Sequence, residues 1–300
     1  MDLSDIWLKE KENKRVNTSK KIDFEELNNT RDLGGMVTSD GKKIREGVLY
    51  RSAALFTASE KDLEKLSGMN LCRIYDFRGE DDRSQHPDPE IPGCLNVWLQ
   101  ILPSTSPGVT HGKDSEAELV KAFQGLIEKP EKSCLMMADA YRKFVREEHC
   151  RKQYGSFLKD ILEQAKEAEE KGQQPAFLWH CAGGKDRAGF GAAILQEIFG
   201  VDRKDIFDDY MLTNTFMQGM AEAEAEKRRS QVTAIYGDRT EEIFPSFVKA
   251  ISYLIEARIE YLETTYKCIE EDYEDFSHYL TVGLGFSENE QEEMRRLFLE

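Results

Sequence analysis

PAFLWHCAGGKDRAGFGAAILQEIFG, residues 175–200, contains a short apolar run, a loop with two adjacent glycines, and a longer apolar run ending on Gly200. The first run, 175–179, reads as a buried strand by its length and its flanks. The second, 188–200, reads as a helix with Gly200 as its C-terminal stop. A loop leading from a buried strand into a helix brings the helix's unpaired N–H groups and the positive end of its dipole to one point. Gly183 and Gly184 let neighbouring amides converge there as an anion-binding nest. Cys181 and Arg187 stand at the two ends of this loop, with Ala182, Gly183, Gly184, Lys185 and Asp186 between them. Arg187 offers a planar fork for two oxygens of one phosphate. A thiolate at Cys181 is stabilised by such a nest and placed for in-line attack on phosphorus.

Spacing by itself decides nothing, because Cys72 and Arg78 are separated by the same gap. The residues between that pair, RIYDF, are bulky and extended, and such a strand cannot wrap its amides around an oxyanion. The setting of Cys181, with a strand running in and a helix running out, separates the two.

Working outward, 47–52 (GVLYRS), 71–77 (LCRIYDF) and 96–102 (NVWLQIL) read as further strands. Thr57 and Glu60 fit a capping box that opens a helix through Lys65, with Gly68 just past its end. Helical patterns cover 115–129, 134–145 and 154–172, and Ser287 with Glu290 forms a second capping box. Strands separated by helices predict an α/β fold with a mainly parallel central sheet flanked by helices. The expected organisation is a polar arm over 1–22 and a single domain over 23–300, with helical insertions near 103–135 and 213–245. The charged run at 221–229 reads most simply as a solvated helix face, with a lid over a pocket as the functional alternative.

Three hundred residues suffice for a substantial core, and the formal net charge of −16 disfavours nucleic acid and anionic membrane as partners. Only a local basic pocket overrides that field at short range. No apolar run matches a signal peptide or a membrane span, so the expectation is a cytoplasmic protein, or a secreted one if a signal peptide has been removed. The six cysteines are dispersed, without a paired spacing or histidines at metal distance, so neither a zinc site nor a disulfide framework is expected. No cofactor is expected, and oligomeric state stays open.

The run from His180 to Arg187 resembles the loop of the bacterial and fungal tyrosine phosphatase family that reads HCxxGKDRTG. Asn29-Thr-Arg-Asp-Leu-Gly-Gly35, Leu49-Tyr-Arg-Ser52 and Asp76-Phe-Arg78 follow one another in the order that family shows. Asp209-Tyr210 and the stretch 279–299 also resemble its pattern, so the likeness covers most of 24–299. The resemblance implies a cysteine-dependent phosphatase that works without a metal through a phosphocysteine. It also implies substrates among phosphotyrosine, phosphoserine or phosphothreonine and phosphoinositides, and sometimes a helical lid.

In that reading Cys181 is the nucleophile, and Arg187 with the loop amides clamps the phosphate and stabilises the transition state. His180 orients the loop, or is simply a satisfied core histidine. Two carboxylates compete for general acid. Asp186 lies inside the loop, as in the myotubularin phosphoinositide phosphatases, which the arrangement resembles. Asp76 ends a strand at the face where ligands gather, unless an ion pair with Arg78 or Arg51 engages it. Ala182, Gly183, Gly184, Lys185, Ala188 and Arg78 complete the expected substrate-binding set. Lys185 adds a fixed cation that suits a second phosphate, as on a phosphoinositide. Ala188 stands where the family usually has threonine or serine, which predicts slower breakdown of the phosphocysteine. A phosphoryl-binding module without chemistry is the main rival. A persulfide carrier usually has a shorter loop, and a nucleotide-binding loop would need Ser or Thr after Lys185.

Overall fold

The computed structural model describes residues 17–102 and 124–300. Most of the polar arm, and most of the helix expected over 115–129, lie outside the described residues.

Six strands form one mixed sheet: β1 (Lys20–Lys21), β2 (Arg31–Asp32), β3 (Leu49–Ser52), β4 (Leu71–Asp76), β5 (Leu95–Trp98) and β6 (Ala176–His180). Their order is β1-β2-β3-β6-β4-β5. The inner run β3-β6-β4-β5 is parallel, and β1 and β2 add antiparallel pairs at one edge. The expected strand at 96–102 ends early, at Trp98. Beyond it the chain bends over the end of β4, with Leu99 N–H donating to the Asp76 carbonyl at 2.9 Å.

Eleven principal helices among the described residues cover the sheet or extend from it. In chain order they are α1 (Glu60–Ser67), α2 (Glu80–Gln85), α3 (Glu131–Arg146), α4 (Glu148–Glu170), α5 (Arg187–Phe199) and α6 (Arg203–Phe216). There follow α7 (Met220–Lys227), α8 (Arg229–Tyr236), α9 (Thr240–Ile255), α10 (Ile259–Tyr273) and α11 (Glu288–Phe298).

The strand alternation sorts side chains onto two cores. Phe177 and Trp179 of β6 join the larger core with α3, α4, α5, α10 and α11, while Ala176 and Leu178 face a smaller one with Leu66 of α1. Burial on both faces explains why the central strand reads as a continuous apolar run. Phe157 of α4 docks edge-on against Tyr75, Phe77 and Trp179 with ring centroids 5.0–5.4 Å apart. Deleting a ring so placed typically costs about 3–5 kcal/mol. A third cluster joins Ile127 to Ala225, Val232, Phe244 and Phe247. Among the described residues, this small core includes side chains of α9, which packs on α3 and α7.

The capping box of α1 differs from expectation. Ser59, not Thr57, is the N-cap, and its partner is Asp62. Thr57 ends a short 3-10 turn instead, and Asp62 also accepts the amides of Glu25, Glu26 and Leu27. One carboxylate thus ties the start of α1 to the segment that leads into β2. The second capping box, Ser287 with Glu290, forms as expected.

Candidate active site

The parallel register lines up Ser52, His180 and Asp76 at the C-terminal ends of β3, β6 and β4. From His180 the chain enters the loop 181–186 and then α5. Gly184 has φ +65°, and a Cβ there would lie 2.5 Å from the Ser52 carbonyl oxygen. Only glycine fits that position, on both conformational and spatial grounds.

What shapes the loop is the capture of its carbonyls. The Ala182 oxygen accepts from the Ala54 amide at 3.0 Å, and the Gly183 oxygen from Asn29 Nδ2 at 2.9 Å. The Gly184 and Lys185 oxygens both accept from Arg51 Nη2, at 2.7 and 3.2 Å. In a planar trans peptide the N–H of the next residue points opposite to the carbonyl. Holding these four carbonyls outward therefore turns the amides of Gly183, Gly184, Lys185 and Asp186 to the other side, as an oxyanion nest requires. Cys181 is buried at the start of this loop and Arg187 at its end, rooted in the first turn of α5.

Arg51 is itself braced. It shares Asp209 with Arg31, at 3.7 and 3.8 Å, all three side chains being buried. Burial resists the charge on Asp209, but Arg31 and Arg51 outweigh it and hold the carboxyl below its usual range. Burial lowers the Arg51 guanidinium, against the opposing pull of Asp209 and Cys181. Ser19 and Gln196 add hydrogen bonds to Asp209, and Arg31 bonds Asn29, the residue that holds Gly183. Sequence reasoning missed Arg51 and Asn29 as loop clamps. Their signal lay in the NTRD and LYRS motifs, but not their task.

Several expected site residues are placed differently. His180 is fully buried: Nε2 meets Asp88 Oδ2 at 2.9 Å, and Nδ1 lies 3.4 Å from the Cys181 carbonyl oxygen. Both ring nitrogens are thus engaged by protein oxygens. Arg78, 1% exposed, pairs with both Asp76 and Asp88 and donates to the His86 carbonyl, so its guanidinium is engaged by the protein. Asp76 accepts from Arg78 on both oxygens at 2.8–2.9 Å. Burial opposes its charge, yet His180 and Arg78 prevail and keep the carboxyl below the usual range. Asp76, Asp88 and His180 could group around a metal ion, but the Arg78 guanidinium already bonds both carboxylates. Asp88 gave no sequence signal beyond its flanking prolines.

Lys185 is the largest departure. Its ammonium is buried and donates to the Leu254 and Glu256 carbonyls at 2.6 and 3.2 Å, capping the end of α9. It ties the end of α9 to the loop. Met217, just past α6, reaches over Gly183, its Cε 3.9 Å from where a Cβ would stand. Ala182 is exposed and Asp186 partly so, while Ala188 is buried in the first turn of α5.

Residues 22–300 match the model of the tyrosine phosphatase family. The chain belongs to that family. This phosphatase is 26% identical over 262 residues to a Cupriavidus necator protein provisionally named a tyrosine-protein phosphatase, covering 87% of this chain and 83% of that one. It is 24% identical over 283 residues to the triple specificity protein phosphatase PtpB of Mycobacterium tuberculosis, covering 90% and 96% of the two chains. Among solved structures it is similar to P. aeruginosa TpbA at 16% identity and a TM-score of 0.31, covering 65% of this chain and 78% of that one. Among the described residues of the phosphatase, no helix is long and apolar enough to cross a membrane.

Proposed function

We propose that this phosphatase hydrolyses phosphotyrosine through a phosphocysteine on Cys181, with the phosphate held by Arg187 and the amides of residues 183–186. The observation that carries the reading is the outward tethering of four successive loop carbonyls around a cysteine at the head of a helix. Sγ attacks phosphorus, the S–P bond forms as the P–O ester bond breaks, and the leaving oxygen takes a proton. Water then attacks phosphorus, the S–P bond breaks and inorganic phosphate leaves. A relative named for triple specificity supports a site that takes more than one monoester, and phosphoinositides are the second class proposed. Lys185 does not supply the cation for them.

Asp186 is the general acid in this reading. It lies within the loop and is partly exposed, whereas Asp76 is buried and doubly paired with Arg78. Asp186→Asn is expected to lower kcat by about 10²-fold or more and to remove the basic limb of the kcat/KM pH profile, which reports the first step. Asp76→Asn should retain that limb and lose stability instead. The opposite pattern in the two profiles would exchange the roles.

Ala188 leaves the cysteine sulfur without the hydroxyl that the family usually places there. Stopped-flow assays with an aryl phosphate are expected to show a burst of phenol before a slower steady state, because breakdown of the phosphocysteine is the slow step. Ala188→Thr should raise the steady-state rate and shrink the burst. A linear wild-type trace from the first turnover would contradict this.

A further inference from the structure

Asp186 does not stand alone. Tyr141 of α3 donates its hydroxyl to Asp186 Oδ1 at 2.7 Å, and the same oxygen lies 3.2 Å from Lys185 Nζ. The Tyr141 hydroxyl is in turn 2.6 Å from that of Tyr210 on α6. Both phenols are buried, so these hydroxyls bond each other and the carboxyl with little competition from water.

We propose that Tyr141, backed by Tyr210, is a positioning residue that fixes the Asp186 carboxyl so that Oδ2 carries the proton for the leaving oxygen. This rests on the reading of Asp186 as the general acid. The geometry assigns the two oxygens different tasks. Oδ1 already receives the Tyr141 hydroxyl hydrogen and lies beside the Lys185 ammonium, so a proton added there would displace a donor and face a positive charge. Oδ2 is the oxygen left to hold the proton. Burial and the neighbouring Asp186 charge hold the Tyr141 phenol well above its ordinary value. It therefore keeps its proton, which it donates to the Asp186 carboxylate. Tyr210 then donates to the Tyr141 oxygen, and the chain runs one way, from α6 through α3 to the loop. In the first step the proton passes from Oδ2 to the ester oxygen as the P–O bond breaks. In the second, the Oδ2 carboxylate takes the proton from the attacking water as the S–P bond breaks.

The arrangement also gives α3 and α6 a role in the chemistry. Neither helix contributes to the nucleophile loop, yet Tyr141 of α3 bonds its acid and Tyr210 of α6 backs that hydroxyl. A carboxyl tethered on one oxygen cannot rotate to present the other, which is how preorganisation lowers the barrier to proton transfer.

The test is the dependence of kcat/KM on the leaving phenol, measured across aryl phosphates from phenyl to 2,4-dinitrophenyl phosphate. A poor leaving group needs the proton and a good one does not. Tyr141→Phe is expected to lower kcat/KM on phenyl phosphate by roughly tenfold, a fraction of the effect of losing a general acid outright. The loss on dinitrophenyl phosphate should be far smaller, so the leaving-group plot steepens. Tyr210→Phe should steepen it to a lesser degree, and it supplies the test if Tyr141→Phe does not fold. An equal loss on every substrate, or no loss, in the foldable variant would overturn the proposal and leave these hydroxyls as packing alone. Asp186→Asn runs in parallel. If its plot steepens while those of the tyrosine variants do not, the inference fails and the acid assignment stands. If its plot does not steepen, the acid assignment fails first.

Discussion

Cys181→Ser is expected to lower kcat by about 10⁴-fold or more while leaving phosphate binding in place. The magnitude follows from the role: removing a covalent nucleophile leaves only the catalysis that the oxyanion site and binding provide. Binding should survive because none of the loop clamps depends on the sulfur. Ala54, Asn29 and Arg51 hold carbonyls of residues 182–185, and Tyr154 donates to the Arg187 carbonyl at 3.0 Å. Isothermal titration with inorganic phosphate or vanadate, beside a turnover assay, separates the two effects. A serine variant that keeps substantial turnover would require another nucleophile.

Arg51→Met is expected to reduce kcat/KM by about 10²–10³-fold, comparable to the loss of an oxyanion-hole donor, although the side chain lies behind the loop. Without it the Gly184 and Lys185 carbonyls lose their shared donor, and the amides of Lys185 and Asp186 are no longer held toward the phosphate. The substitution should also cost stability, of order 3–5 kcal/mol, as expected when one partner of a buried ion pair is removed. Asp209 keeps Arg31, which places the loss toward the lower end of that range. Chemical denaturation measures the stability, and kinetics at a temperature well below the variant's midpoint measures the activity. Arg51→Lys retains the charge but not the planar fork that reaches two carbonyls at once. It should recover much of the stability and little of the activity. A methionine variant with near-normal kcat/KM would show that the loop holds its shape without Arg51.

The strand, the loop 181–186 and the helix that follows it were legible because their signal is local. A fully buried strand, a left-handed glycine and an apolar helix follow one another within residues 175–200, and each leaves its mark on the residues it uses. The α/β class followed from the same logic applied to the other strands. What stayed hidden depends on partners remote in the chain. Arg51 reaches Gly184, Asp88 reaches His180, and Tyr141 reaches Asp186, and no spacing rule connects such pairs. Lys185 shows the converse. Its position in the loop suggested a pocket cation, but neighbours in sequence at a helix start leave on different sides, and this side chain finds the end of α9. Asp76 and Arg78 are two residues apart, so their pairing was visible as an alternative. Only burial and the added reach to Asp88 decide it.

The central claim is that the phosphoryl group passes through Cys181. Its most direct test is rapid acid quench of the wild-type phosphatase during turnover of an aryl phosphate, followed by proteolysis and mass spectrometry. The account predicts an S-phosphoryl group on the peptide that carries Cys181, formed within the burst and absent from Cys181→Ser. Phosphate found on His180 or another residue, or full turnover with no covalent adduct at the earliest times, would contradict it.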